Sequence, residues 1–209
     1  MKFFETLEAS IRRLENRTIP ADRQELLKPL GQYLYERYVS DRLPRLNFIC
    51  THNSRRSQLA QTWAYTAAQW YGLEVESYSG GVEETAFNQN AIKALQTNGF
   101  IVHINNDTSP NPTCFIKLNQ SLKPLVTFSK LFDHENNPKS DFVAVMTCSE
   151  ADENCPFIPG AVLRLPLRYD DPKVFDNTPQ QDTQYLERSE QIGAELLWVF
   201  RDVKDKLDR

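Results

Sequence analysis

One short segment restricts the possible folds of this chain more than any other. Residues 47–49 end an apolar run that is typical of a buried strand, and Cys50 follows it directly. Arg56 comes six positions later, and beyond it Leu59 and Trp63 recur at helical spacing. The pattern predicts a strand, a loop and a helix in succession, with the cysteine and the arginine in one loop.

A loop of this kind suits the binding of a tetrahedral oxyanion. Its backbone N–H groups can point inward, the following helix presents its positive end, and the guanidinium of Arg56 can grip two oxygens. The same positive surroundings, with the hydroxyl of Ser57, favour the thiolate form of Cys50 and so make it a nucleophile. The residues that we expect to bind the anion are Thr51, His52, Asn53, Ser54, Arg55, Arg56 and Ser57.

A cysteine and an arginine at this spacing also occur together by chance, so the motif alone is weak. The structural alternative is a buried, inert Cys50 next to a surface Arg56. The strand that precedes the cysteine and the helix that follows the arginine favour the nucleophile over this alternative, because both are needed to shape the loop.

A second cysteine also follows an apolar run. Residues 142–147 predict a central parallel strand, Cys148 comes directly after it, and Cys155 lies seven positions further on in a polar segment that we expect to be mobile. Because sites gather at the carboxyl ends of parallel strands, Cys50 and Cys148 should share one edge of the sheet. Three thiols in a line suit a reaction that consumes two electrons in each turnover. The alternative is a pair of small buried hydrophobic residues.

Taken together, four segments closely resemble the thioredoxin-coupled arsenate reductases of the low-molecular-weight protein tyrosine phosphatase superfamily. They are residues 50–58, 78–81, 148–156 and 169–172, within a resemblance that spans residues 45–104 and 141–209. The cysteine loop and the Asp-Pro pair at residues 171–172 resemble the whole superfamily. The pair of Cys148 and Cys155 resembles the reductase branch rather than the phosphatases.

The resemblance implies a cascade of thiols. Cys50 would attack arsenate while Arg56 and the loop amides hold the anion, and Asp171 would protonate the departing oxygen. Cys148 would then attack the sulfur of Cys50 and release arsenite, after which Cys155 would form a disulfide with Cys148. Thioredoxin would reduce this disulfide as an external reductant, with no bound cofactor. Arsenic(V) accepts two electrons from thiols and phosphate does not, so one loop can serve either reduction or hydrolysis.

Three positions differ from the usual pattern of that family. His52 stands where glycine is usual, in a loop that can require positive φ, and it would act either as a space-filling side chain or as a proton donor to the anion. Arg55 replaces a frequent cysteine and should add positive charge at the rim. Gln61 replaces a glutamate that helps to bind potassium, so we predict no bound metal although Asn53 and Ser79 match other parts of that site.

Composition narrows the function classes further. The formal net charge of −4 gives no reason to expect nucleic acid, and no apolar run approaches the roughly 20 residues needed to cross a membrane. Four cysteines and no recognisable signal peptide predict a reducing cytoplasm. His52, His103 and His134 are too scattered for a zinc site, and Cys114 is predicted to be structural. Without the cysteine loop, residues 170–172 would indicate only a solvated turn.

Strands and helices alternate along the chain, which predicts an α/β fold with a parallel sheet covered on both faces. We expect a three-layer sandwich with a central, mostly parallel four-stranded sheet flanked by helices, and a catalytic domain over residues 45–209. Residues 1–44 predict a helical hairpin that packs on its own domain or on a partner. An insertion at residues 105–140 carries two alternating runs, 115–118 and 125–128, that predict a β-hairpin.

Three functions follow from these residues. The first is a cytoplasmic arsenate reductase that draws electrons from thioredoxin. The second is a phosphatase that hydrolyses phosphotyrosine through a phosphocysteine at Cys50, with Arg56 and Asp171, while Cys148 and Cys155 stay idle. The third is a non-catalytic redox or oxyanion sensor whose N-terminal hairpin engages a partner. The presence of nucleophile, arginine and acid together weighs against the sensor, and the oligomeric state is not predicted.

Overall fold

The structure is a computed structural model that describes residues 2–105, 108–154 and 157–209. Its elements, in chain order, are α1 (Glu5–Glu15), α2 (Ala21–Val39), β1 (Arg45–Cys50), α3 (Arg56–Trp70), β2 (Glu76–Gly81), α4 (Gln89–Thr97), β3 (Ile101–Ile104), β4 (Cys114–Lys117), β5 (Leu125–Thr127), β6 (Phe142–Met146), α5 (Ser149–Asn154), β7 (Ala161–Pro166), a 3-10 helix (Pro172–Phe175) and α6 (Gln181–Leu207). None of the described helices combines the length and the apolar character that a membrane span requires.

Four parallel strands in the order β2-β1-β6-β7 form the central sheet, which confirms the predicted α/β fold. The two middle strands are buried. Every residue of β6 is buried, and so are Phe48 and Ile49 of β1. Helices α3 and α6 cover one face, while α5 and Phe132 cover the other. Because β1 and β6 are parallel neighbours, Cys50 and Cys148 lie at the same edge, as predicted.

The two N-terminal helices pack on α6 and join the main hydrophobic core. Their buried apolar residues are Leu7, Ile11 and Leu14 in α1 and Leu27, Leu30 and Leu34 in α2. Arg23 of α2 adds a two-point ion pair with Glu195 of α6, at 2.6 and 2.9 Å. Leu26 of α2 is 41% exposed, since it lies beside the buried face rather than on it. The apolar stripes of both helices are therefore covered by this chain.

The insertion contributes β4 and β5 to a three-stranded antiparallel sheet rather than forming an isolated hairpin. β4 and β5 pair as the predicted hairpin, and β3, which the sequence did not predict as a strand, pairs with the other side of β4. β3 has only four residues of mixed exposure, and so short a run gives little signal on its own. Cys114 in β4 is fully buried, as expected of a structural residue, and burial raises the pKa of its thiol to about 11.

Residues 129–132 attach the insertion to the edge of the central sheet. Leu131 forms a parallel bridge with Gly81 at the end of β2. A Cβ atom on Gly80 would lie 2.3 Å from the Cα atom of Phe132, so only glycine allows this close approach. The insertion thus continues the sheet beyond β2.

The segment after Cys148 is helical, whereas the sequence predicted a polar and mobile stretch. Residues 149–154 form α5, because Ala151 is fully buried against the sheet and Asp152 forms ion pairs with two arginines. The polar sequence of this segment favours a loop, but these tertiary contacts stabilise a helix. Cys155 lies outside the described residues.

Candidate active site

The sulfur of Cys50 lies at the carboxyl end of β1, where the catalytic loop (residues 50–57) begins. Cys50 is 3% exposed, and its Sγ atom is 3.0 Å from the hydroxyl oxygen of Ser57. That oxygen accepts a hydrogen bond from Nδ2 of Asn53 at 2.8 Å. Because Ser57 accepts from Asn53, its own proton is available to the sulfur, where it would stabilise a thiolate.

The backbone carbonyl groups of the catalytic loop point outward. Those of Cys50, Thr51, His52, Asn53 and Ser54 accept hydrogen bonds of 2.8 to 3.2 Å from Val82, Glu83, Ser129, Gln58 and Asn88, in that order. Within the part of the chain that the structure describes, the N–H groups of residues 51–55 have no acceptor. These donors form a positive concavity above the sulfur, which is the arrangement that binds an anion.

The sequence suggested that His52 needs a positive φ. In the structure the residue of the catalytic loop with a positive φ is Asn53 instead. Asn53 has φ 47°, a left-handed conformation that asparagine tolerates better than most residues. Its Oδ1 atom accepts a hydrogen bond from the backbone N–H of Lys130 at 2.9 Å. This bond from the insertion fixes the amide so that Nδ2 faces Ser57.

The imidazole of His52 pairs with a carboxylate outside the loop. Its Nε2 atom is 3.3 Å from Oε2 of Glu83, and about a third of the side chain is exposed (35%). Ser54 also turns outward, since its hydroxyl donates to the carbonyl of Ala86 at 2.6 Å. Both residues therefore contribute backbone N–H groups to the concavity rather than side chains.

Arg56 and Asp171 meet at the mouth of the catalytic loop. Nη2 of Arg56 donates to Oδ2 of Asp171 at 2.7 Å, and Nη1 donates to the carbonyl of Tyr169 at 3.0 Å. The Nε atom of Arg56 is buried and has no hydrogen-bond partner among the residues that the structure describes. The predicted role of Asp171 requires the segment before the 3-10 helix to fold over the catalytic loop. The structure has this arrangement.

Arg55 was expected at the exposed rim, and the structure corrects this. Its side chain is only 11% exposed, Nε donates to the hydroxyl of Tyr185 at 3.2 Å, and Nη1 is 3.6 Å from Oδ2 of Asp171. Tyr185 is fully buried on α6, and burial raises the pKa of its phenol to about 12. Sequence reasoning missed Tyr185, because a tyrosine on a helix stripe is usually a core residue.

The thiol of Cys148 adjoins the catalytic loop. Cys148 is 1% exposed, and its Sγ atom is 3.4 Å from the hydroxyl oxygen of Thr51. The backbone N–H of Ala151 donates to the same sulfur at 3.3 Å. Thr51 in turn donates to Oε2 of Glu150 at 2.8 Å. The residue after Cys50 thus touches the second thiol directly.

Two arginines anchor α5, which lies in the redox segment (residues 148–155). Asp152 is 8% exposed and forms ion pairs with Arg164, at 2.5 Å, and with Arg168. Arg168 also lines a cavity of about 650 Å³ together with Arg56, Cys148 and Asp171. The cavity therefore joins three residues that the sequence singled out.

Two of the residues that match a potassium site are engaged in hydrogen bonds. Gln61 carries no charge, and its amide nitrogen donates to the carbonyl of Ser77 at 3.0 Å. The Oδ1 atom of Asn53 already accepts from Lys130. The buried hydroxyl of Ser79 has no hydrogen-bond partner in the described part of the chain. Among the described residues, no cluster of three or more His, Cys, Asp or Glu side chains could hold a metal ion.

Comparison with known proteins agrees with this geometry. Residues 45–115 match the model of the low molecular weight phosphotyrosine protein phosphatase family. An arsenate reductase from Bacillus subtilis is 31% identical over 150 residues, which cover 71% of this chain and 89% of that protein. An arsenate reductase of Staphylococcus epidermidis is 35% identical over 125 residues, covering 60% of this chain and 76% of the other.

The fold has a counterpart among solved structures. A low molecular weight phosphotyrosine phosphatase from Vibrio cholerae superimposes with a TM-score of 0.52 at 14% identity, covering 79% of this chain and 99% of that one. At 14% identity this structural similarity shows the fold alone. Membership of the family rests on the sequence matches. The chain belongs to the arsenate reductases of the low-molecular-weight phosphotyrosine protein phosphatase superfamily.

Proposed function

We propose that this protein reduces arsenate to arsenite through Cys50, Cys148 and Cys155, and that thioredoxin restores the thiols. The observation that carries the proposal is a second buried thiol, Cys148, in contact with the loop that holds the nucleophile. Of these three thiols, a phosphatase needs only that of Cys50. The arsenate reductases from Bacillus and Staphylococcus support the same reaction.

The first step is the binding and attack of arsenate. The N–H groups of residues 51–55 and the guanidinium of Arg56 hold the oxyanion against Cys50. The thiolate attacks arsenic, so a sulfur–arsenic bond forms and an arsenic–oxygen bond breaks. Asp171 gives the departing oxygen its proton, and the oxygen leaves as water. The hydroxyl of Ser57 supports the thiolate before the attack.

The second step transfers two electrons to arsenic. Cys148 attacks the sulfur of Cys50, a sulfur–sulfur bond forms, and the electron pair of the sulfur–arsenic bond stays with arsenic. Arsenic(V) thereby becomes arsenic(III) and leaves as arsenite. The backbone N–H of Ala151 donates to the sulfur of Cys148 and can stabilise its thiolate form. The hydroxyl of Thr51 gives its proton to Glu150 and lies 3.4 Å from the same sulfur.

The third step moves the disulfide away from the loop. Cys155 attacks Cys148 and regenerates Cys50, and thioredoxin then supplies two electrons to the Cys148–Cys155 disulfide. Six residues of α-helix rise about 9 Å, whereas the Cα atoms of a disulfide lie within about 7 Å. Since α5 spans Ser149–Asn154, between the two cysteines, we expect it to unwind when this disulfide forms. Unwinding would release Asp152 from its arginines.

The second candidate is hydrolysis of aryl phosphates such as phosphotyrosine. The pairing of Asp171 with Arg56 favours it, because an acid beside the anion site serves phosphate ester cleavage equally well. In that reaction Cys50 would carry the phosphoryl group and Cys148 would take no part. Both reactions can occur in one loop, and only the redox segment distinguishes them.

We place the protein in the cytoplasm, where thioredoxin keeps thiols reduced. The described cysteines Cys50, Cys114 and Cys148 are free thiols, as this compartment requires.

One paired assay tests the proposal. Oxidation of NADPH is followed with thioredoxin, thioredoxin reductase and arsenate, and hydrolysis of an aryl phosphate is measured on the same sample. Cys148→Ser should abolish the arsenate-dependent oxidation and leave aryl phosphate hydrolysis intact, because only the reduction needs the second thiol. Cys114→Ala, outside the site, is the matched control and should keep both activities. Rapid hydrolysis without any arsenate-dependent oxidation would favour the phosphatase instead.

A further inference from the structure

Asp171 lies between two guanidinium groups that come from adjacent residues of the catalytic loop. Its Oδ2 atom is 2.7 Å from Nη2 of Arg56 and 3.6 Å from Nη1 of Arg55. Its other oxygen, Oδ1, accepts a hydrogen bond from the backbone N–H of Lys173 at 3.0 Å. The carboxylate is thus held at Oδ1 by the start of the 3-10 helix, and Oδ2 can turn about that point.

The contact with Arg56 competes with anion binding. Nη1 of Arg56 already donates to the carbonyl of Tyr169, so Nη2 and Nε are the atoms left for an oxyanion. A carboxylate at 2.7 Å takes one of the two N–H groups of Nη2 and repels an arriving dianion. A movement of Asp171 away from Nη2 would remove this repulsion and free both N–H groups for the anion.

Arg55 is fixed where it can receive this carboxylate. Its Nε atom donates to the hydroxyl of Tyr185 at 3.2 Å, and that hydroxyl donates to Oδ1 of Asp176 at 2.7 Å. The Tyr185 phenol keeps its proton, because burial raises its pKa to about 12. With Nε tied to α6, the guanidinium of Arg55 has its Nη1 atom toward Asp171.

We propose that Arg55 is a positioning residue that takes the carboxylate of Asp171 from Arg56 when an oxyanion enters. The Oδ2 atom would move by about 1 Å to reach the length of a charged hydrogen bond with Nη1. Asp171 then stays beside the site on Arg55, and Arg56 is free for the anion. The inference rests on the anion site of the proposed function and does not depend on arsenate as the substrate.

A double-mutant cycle with inorganic phosphate as the probe tests the exchange. Dissociation constants are measured by calorimetry for the wild type, Arg55→Ala, Asp171→Asn and the double variant. Arg55→Ala should weaken phosphate binding about tenfold, because Asp171 then stays on Arg56. Asp171→Asn should bind phosphate more tightly than the wild type. In that background Arg55→Ala should have less than about a twofold effect, since no carboxylate remains to be moved.

Two outcomes would overturn the proposal. Equal weakening by Arg55→Ala in both backgrounds would mean that Arg55 acts independently of Asp171, for example by binding the anion directly. Unchanged binding in both backgrounds would mean that Asp171 needs no second partner. A merely structural role of Arg55 would also weaken binding in both backgrounds, so the cycle separates it from positioning.

Conservative variants keep the test valid if Arg55→Ala does not fold. Tyr185→Phe removes only the hydroxyl that holds Nε, so it should weaken phosphate binding about two- to threefold, and only when Asp171 is present. Arg55→Lys keeps a positive charge near Asp171 and should recover most of the affinity. Phosphate binding needs no electron transfer, so a failure to reduce arsenate would refute the proposed function and leave this cycle interpretable.

Discussion

The catalytic loop and the redox segment lie side by side but are held by different kinds of contact. Five successive carbonyl groups of the catalytic loop are bonded to residues from the turn after β2, the insertion, α3 and the cap of α4. Among the described residues of the redox segment, the anchors are side chains: Glu150 with Thr51, and Asp152 with Arg164 and Arg168.

This difference matches what each region has to do in the proposed reaction. An anion site must keep its N–H groups aimed at one point throughout turnover, and backbone bonds on its outer side achieve this. A thiol that passes a disulfide onward must change position, which is easier when a few side-chain contacts hold a short helix. The insertion belongs to the rigid side of this comparison, because Ser129 and Lys130 bond directly to the loop.

The largest effect is expected from removing the nucleophile without disturbing the loop around it. Cys50→Ser should lower both arsenate reduction and aryl phosphate hydrolysis by at least about 1000-fold. Inorganic phosphate should still bind, because the N–H groups and Arg56 remain in place. Activity assays and calorimetry on one sample check both statements. Loss of phosphate binding would show that the shape of the loop depends on the sulfur itself.

A pH effect is expected from the cation that the insertion buries beside the loop. Lys130 is 3% exposed, and burial lowers its pKa from 10.5 to about 8. Between pH 8 and 10.5 the unfolded chain therefore binds more protons than the folded one, so the free energy of unfolding contributed by this group rises with pH. Lys130→Met should remove that rise and stabilise the protein at pH 7 by up to about 3 kcal/mol.

Urea unfolding at pH 7 and pH 9.5 measures this contribution. The difference between wild type and variant isolates Lys130 from other groups that titrate in the same range, such as the buried thiol of Cys114. The exposed Lys123 provides the control, and Lys123→Met should leave the pH dependence unchanged. An identical pH dependence for Lys130→Met and the wild type would contradict the prediction.

In the redox segment, Asp152→Asn should loosen α5. The loss of a buried charged anchor should lower the local opening free energy by about 1–2 kcal/mol, which corresponds to roughly 5- to 30-fold faster amide hydrogen exchange. Exchange in the catalytic loop should not change. The exposed Glu153 supplies the control variant Glu153→Gln. Faster exchange in both regions would mean that the two are held as one unit.

The smallest effect is expected from one outer contact of the rigid loop. Ser129→Ala removes the hydrogen bond to the carbonyl of His52 and the acceptor for the N–H of Thr85. The free energy of unfolding should fall by about 1 kcal/mol, and phosphate affinity by no more than about threefold, because four other carbonyl contacts remain. Ser121→Ala, at an exposed turn, is the matched control. A loss as large as that expected for Arg55→Ala would show that the insertion governs anion binding.

Much of the fold was predictable from local patterns. The apolar run of β6 and the helical stripe of α6 are long and regular, and Asn98-Gly99 marks the end of α4 through the positive φ of Gly99. β3 and α5 were not predicted, since both are short and gain their stability from β4 and from the arginines that bind Asp152. Such contacts join residues far apart in the chain and leave no periodic signal.

The chemistry of this protein was largely determined by the order of its residues. A strand, Cys50, Arg56 and a helix in succession predict an anion-binding loop, because these groups come from consecutive residues. Only the tertiary structure decided that Arg55 turns inward to Tyr185, that Asp171 rests on Arg56, and that the insertion supports the loop from outside. Each of these contacts joins residues that lie far apart in the sequence, and their geometry exists only once the whole chain has packed.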